Sequence, residues 1–296
     1  MKRLTMIFTM AMMVLTVTVG TFAHGDGMGT GTHMNQDGME MEHNMVLPHI
    51  VLGGGYETEL VFMNPGSGQE VSGTLYFYGQ DGSPLNVMYN EAFQTSIDFT
   101  VPQSGYMSLK LGNPEDEEQI AWAVFINSGD QPDAEDSDMY MGDHLFASIF
   151  YKRFDTSVDR MATQVGVMGM RFMSGMGMGY GMMVRNDDHN ITGFAIVNIS
   201  DAELTTTLTL KNPDGTTFAE KNLTLPAGNQ MVDILSNFFT GTADISTFEG
   251  TMEIRSEQEG MVPLGLINTD GIQTAIPMVM IPDSYDHSGN MGGGMM

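Results

Sequence analysis

Apolar and polar positions alternate through short runs along most of this chain, and turn residues stop the runs every 8 to 12 positions. In the first half the runs cover residues 49–52, 59–63, 71–78, 96–101, 106–111, 120–126, 145–151 and 164–168. The breaks fall at Asn64-Pro65-Gly66, Asp81-Gly82, residues 102–105 and Asn113-Pro114. Strand-length runs separated by glycine, proline and asparagine, with no long helical period, predict antiparallel β-sandwiches. A period of 3.6 shows at one place. Met231, Ile234, Leu235, Phe238 and Phe239 share one face, which predicts a short helix over 231–239 capping one end of a sandwich.

The second half replays the first. Phe194-Ala195-Ile196-Val197-Asn198 sits where Leu60-Val61-Phe62-Met63-Asn64 sat, each apolar run closing on an asparagine before a turn. Residues 204–210 with Asn212-Pro213-Asp214-Gly215 answer residues 71–77 with Gln80-Asp81-Gly82, and Leu223-Thr224-Leu225-Pro226 answers Phe99-Thr100-Val101-Pro102. Residues 250–256 match 122–128, and each half ends on paired strands, 145–151 with 164–168 and 262–267 with 273–279. An internal duplication follows. The expected fold is all-β: two tandem antiparallel β-sandwiches, with sandwich one over 47–169 and sandwich two over 181–282, joined by a Gly/Met-rich connector at 170–180.

The repeated pattern, F-A-I-V-N-x-S, then L-x-L-x-x-x-D-G, L-P-x-G and F-x-G-T-x-x-I-x-S, resembles the β-sandwich repeats of secreted and surface proteins of bacteria. Residues 190–281 carry it in full and residues 56–168 in degraded form. The resemblance implies a bacterial envelope or extracellular location and an immunoglobulin-like form of each sandwich, and it carries no active site with it.

The ends of the chain have a different texture. Lys2 and Arg3, the apolar run 4–19 and Thr21-Phe22-Ala23 read as a secretory signal cleaved after Ala23. No later run is apolar and long enough to span a bilayer. A secreted, periplasmic or extracellular location follows. Residues 24–46 lack any hydrophobic period and predict a disordered arm, and 283–296 predict a flexible Met/Gly tail. The chain has no cysteine, which excludes disulfides, thiolate metal sites and thiol nucleophiles. Its formal charge is −26, and removal of Lys2 and Arg3 makes it more negative by two. Such a surface repels nucleic acid and attracts cations.

Methionine changes the picture most: 31 residues, against 11 for lysine and arginine together. Thioether sulfur is soft and uncharged, so clusters of it with imidazole select Cu(I) over harder ions. The arm offers His24, Met28, His33, Met34, Met39, Met41, His43 and Met45. The connector offers Met170, Met173, Met176 and Met178 beside Met168, and the tail offers His287, Met291, Met295 and Met296. On a strand the same side chain packs as a flexible hydrophobe, so Val165, Val167, Met168, Met182, Met183 and Val184 read as strand residues. An N-terminal His24 could bind Cu(II) through its amine and imidazole, an arrangement similar to the histidine brace of copper oxygenases, but a lone terminal histidine is no catalytic motif. Acidic runs at Glu115, Asp116, Glu117 and Glu118 and at Asp133, Glu135, Asp136 and Asp138 could hold calcium; neither has EF-hand spacing, and a solvated loop is the stronger reading.

No G-x-S-x-G, H-E-x-x-H or phosphate loop occurs. The arm and tail resemble the Met- and His-rich segments of periplasmic copper-resistance proteins. The expectation is a non-enzymatic envelope protein that binds copper, with metal ions as its partners. The alternative is a structural, adhesive or fibre-forming surface module that self-associates or meets cell-surface partners and has no metal role.

Overall fold

The computed structural model describes residues 45–65, 69–113, 117–128, 145–155, 160–171 and 179–281. All of them belong to one compact unit. The first half builds β1 (Met45–Leu52), β2 (Tyr56–Met63), β3 (Val71–Gly79), β4 (Val87–Tyr89), β5 (Ala92–Gln94), β6 (Ser96–Val101), β7 (Tyr106–Leu111), β8 (Gln119–Asn127), β9 (Phe146–Asp155), β10 (Arg160–Met168) and β11 (Met170–Arg171). The second half builds β12 (Gly179–Arg185), β13 (Asn190–Asn198), β14 (Leu204–Lys211), β15 (Thr217–Leu225), β16 (Gln230–Ile234), the single turn α1 (Leu235–Phe238), β17 (Glu249–Ser256), β18 (Met261–Thr269), β19 (Ile272–Ile276) and β20 (Val279–Ile281).

Each half forms a five-stranded and a four-stranded antiparallel sheet. The orders β11-β1-β8-β3-β6 and β10-β9-β2-β7 in the first half become β20-β12-β17-β14-β15 and β19-β18-β13-β16 in the second. Strand for strand the two orders coincide, so the duplication extends to topology. Period-2 burial explains why these runs are strands. Leu75 and Phe77 on β3, Leu60 and Phe62 on β2, and Leu109 and Leu111 on β7 point into one core. Leu208 and Leu210 on β14, Phe194 and Ile196 on β13, and Met252 and Ile254 on β17 point into the other.

The turn chemistry repeats as well. Asp81 Oδ1 accepts from the N–H and hydroxyl of Ser83, as Asp214 Oδ1 does from Thr216. Asn64 and Asn198 donate through Nδ2 to Gln69 O and Ala202 O, holding the turn that follows each apolar run.

Several sequence expectations need correcting. Residues 231–234 are strand, because β16 pairs along β13 from Gln230 to Ile234, and only Leu235 to Phe238 turn helical. The run 273–279 divides at Pro277, whose missing N–H cannot continue a ladder: β19 joins the four-stranded sheet and β20 the five-stranded one. Met45, Val46, Met170 and Arg171, assigned to the arm and connector, are ladder residues. The match of 250–256 to 122–128 slips by one, since Leu208 faces Ile254 where Leu75 faces Phe125. The hairpin β4–β5 had no counterpart in the pattern.

The two sandwiches are not beads on a string. The outer face of the first five-stranded sheet (Val46, Tyr78, Trp122, Val124) packs against the outer face of the second four-stranded sheet (Val197, Ile199, Val262). Both faces of β1 are therefore buried. Trp122 stacks on Tyr78 with centroids 4.5 Å apart and donates its indole N–H to Gly79 O at 3.1 Å. Gln230 clamps the seam: its N–H donates to Gln80 O at 2.8 Å and its side-chain amide to Pro48 O at 2.6 Å. Pro48 and His49 form a bulge in β1, an extra residue against β8 between Leu47 and Ile50, and this bulge presents the carbonyl that Gln230 reaches.

Candidate functional site

Three of the soft-ligand candidates fall on described residues. Met45 is 3% exposed, with its sulfur 2.9 Å from where a Cβ on Gly169 would stand, so it fills the first core. Met170 is half-buried against the seam. Met168 is 65% exposed on the outer face of the four-stranded sheet, although its strand neighbours Val165 and Val167 are buried. His24, Met28, His33, Met34, Met39, Met41, His43, Met173, Met176, Met178, His287, Met291, Met295 and Met296 lie outside the described residues.

The described strands fix where those segments are rooted. Met45, where the described chain begins, pairs with Arg171, on the near side of residues 172–178. Gly179, on their far side, pairs with Ile281, where the described chain ends. Seven residues, 172–178, join Arg171 to Gly179, and eight extended Cα steps span under about 30 Å. The arm, connector and tail therefore leave the body at two points no farther apart than that. His43 is two residues from its root and His287 six from its own.

Asp187 and His189 have structural work. Asp187 accepts from His189 N at 2.8 Å and from Asn190 N at 2.9 Å, closing the turn between β12 and β13. Hydrogen bonds from Asn190 and the His189 backbone hold its carboxyl well below the usual range. His189 Nδ1 lies 2.9 Å from Asp270 Oδ1, which raises the imidazole above its ordinary value. Glu117 and Glu118 are exposed, while Glu115, Asp116, Asp133, Glu135, Asp136, Asp138 and His144 lie outside the described residues. Among the described residues no three His, Asp or Glu side chains are grouped to hold a metal ion. A shallow cleft lined by Ser236 and residues 240–246 has one ionisable group, Asp244, whose carboxyl is lowered by bonds from Ser246.

Two features escaped the sequence reading. His49 is buried, its ring edge-on to Tyr151 at 5.9 Å, its Nδ1 without a hydrogen-bond partner and its pKa pushed down to about 4 by desolvation. The second is a cluster of exposed apolar side chains on the outer face of the first four-stranded sheet: Met63, Tyr106, Phe146 and Met168. Alternation in β2, β7, β9 and β10 gave each strand an outward face, but the alignment of these residues in one patch depends on register.

No family model matches the chain, and no curated protein matches it. Among solved structures, a glycosyl hydrolase family 2 member from Bacteroides cellulosilyticus is similar over 79% of this chain and 27% of its own, at 8% identity and a TM-score of 0.16. Vicilin from hazelnut, Corylus avellana, is similar over 77% of this chain and 72% of its own, at 8% identity and a TM-score of 0.19. A family 2 beta-glucuronidase is similar over 79% and 23%, at 11% identity and a TM-score of 0.16. The chain spans about a quarter of the length of these hydrolases. Overlap this loose carries no argument for glycoside hydrolysis or any other activity here.

Proposed function

We propose that this chain is a non-enzymatic protein of the bacterial envelope that binds copper, as Cu(I), through its Met/His-rich arm, connector and tail. The observation that carries the reading is the rooting of the three segments: Met45 beside Arg171 and Gly179 beside Ile281. Neutral thioethers satisfy a soft monovalent ion without adding charge, and segments rooted beside one another can each contribute some of the ligands. Met41 and His43, Met173, Met176 and Met178, and His287 and Met291 stand within ten residues of those roots. The sandwiches serve as the rigid frame that keeps the roots together, and the net charge of −26 raises the local concentration of cations.

Anaerobic titration of the mature protein with Cu(I) against a competing chelator tests this. Binding tighter than micromolar is expected. Deletion of residues 24–44 or 286–296, each leaving β1 and β20 whole, should weaken it by at least about tenfold. Affinity of micromolar or weaker that neither deletion changes would sink the proposal.

A further inference from the structure

The outer face of the first four-stranded sheet bears a cross-strand row, Tyr106–Met63–Phe146, fixed by the pairing of Met63 with both neighbours. In the next row Val61 and Ser148 lead to Met168. The duplication gives this face a twin. Val197 pairs with Gln230 and Val262 as Met63 pairs with Tyr106 and Phe146. The twin row is a docking surface: Val197, Gln230 and Val262 are 0%, 5% and 3% exposed against the first sandwich. In copy one the same positions carry larger apolar groups, exposed by 46% at Met63, 71% at Tyr106 and 42% at Phe146, with 65% at Met168. A contiguous apolar patch of this kind marks an interaction surface.

We infer that a second copy of this chain docks here, patch against patch about a twofold axis. A head-to-tail repeat of the internal seam is ruled out by what a second molecule has to offer. Its first five-stranded face is already covered by its own second sandwich. Its other five-stranded face carries Met183 and Val279 but also Arg185, Lys211, Glu249, Glu253 and Arg255, charges that would be desolvated against methionine and aromatic rings. Pairing of the patch with itself meets neither obstacle. Around it stand Lys110, Lys152, Glu57 and Glu59, joined in ion pairs of 3.9 Å for Lys110–Glu57 and 2.9 Å for Lys152–Glu59. Among the described residues this face is locally neutral, so those charges set up no repulsion between two copies. Rings and thioethers form the centre of the contact and the ion pairs its rim. Closed twofold pairing gives a dimer and no fibre.

Sedimentation equilibrium of the mature full chain, with a copper chelator present throughout, should show a monomer–dimer equilibrium and nothing larger. Tyr106→Lys and Met63→Lys, both on exposed side chains, should each weaken the dimer by about tenfold or more, with unchanged circular dichroism and unchanged Cu(I) affinity. A monomer at every concentration, a ladder of higher oligomers, or a dimer indifferent to both lysine substitutions would overturn the inference. The metal-free condition separates its failure from failure of the copper reading.

Discussion

His49 shows how a single side chain can set the pH range of a fold. The sequence read it as one more strand residue, and nothing in its neighbours marks the bulge that turns its ring inward against Tyr151. Buried and unpartnered at Nδ1, it takes a proton only near pH 4, whereas in the unfolded chain it does so near 6.5. Above about 6.5 the ring is neutral in both states and adds no pH dependence. As pH falls from there towards 4 the unfolded chain binds a proton that the folded one does not, so stability declines through that window, by about 3 kcal/mol in all. Hydrogen-bonded carboxylates such as Glu59 and Glu253 also lose their contribution as pH falls, in wild type and variant alike. The difference between wild type and His49→Phe in urea-melt free energy, plotted against pH, isolates the histidine. It should slope between pH 6.5 and 4 and be level above; a level difference throughout would remove His49 as the cause.

At the scale of elements, most strands were legible because period-2 alternation is a local property. Asn64 and Asn198, and Asp81 and Asp214, were legible as repeats because their turns are local too. Register was not. Matching 250–256 to 122–128 by apolar residues alone put Ile254 opposite Ile126, and a slip of one moves every side chain to the other face. The 3.6-residue pattern over 231–239 likewise lost to β13, whose ladder satisfies the backbone of β16 better than one isolated helical turn could. Gly250 tests the packing that register creates. A Cβ there would stand 2.2 Å from Lys211 O and 2.8 Å from the Phe248 ring, and the backbone oxygen cannot swing aside. Gly215, in the Asp214 turn, has φ +84 and open space around it. Gly250→Ala should cost about 2–3 kcal/mol by overpacking and Gly215→Ala about 1 kcal/mol by backbone strain. Thermal melts of the two variants should keep that order, and equal shifts would contradict the crowding at β17.

For the molecule as a whole, composition revealed the Met/His-rich segments because they lack the alternation that marks everything else. Their common rooting was hidden, since it depends on β11 and β20, strands of two and three residues that close each five-stranded sheet. The seam was hidden for the same reason: Val46, Trp122, Val197 and Val262 looked like ordinary strand residues until the faces they share were known. Trp122 makes the seam measurable. It is the chain's one tryptophan, 4% exposed, and it stands where the two sandwiches meet. Separating the sandwiches would expose it to water even with both cores intact, so its emission reports the joint while far-ultraviolet circular dichroism reports the strands. Gln230 and the apolar faces tie the halves together, so denaturant should unfold both in one step, with the two signals superimposed. Val197→Asp places a charge against Tyr78 and Trp122 in the seam and leaves the core residues Phe194 and Ile196 untouched. In that variant the fluorescence transition should move to lower denaturant, ahead of the loss of strand signal. Superimposed transitions in both proteins would mean that the halves are coupled through something other than this seam.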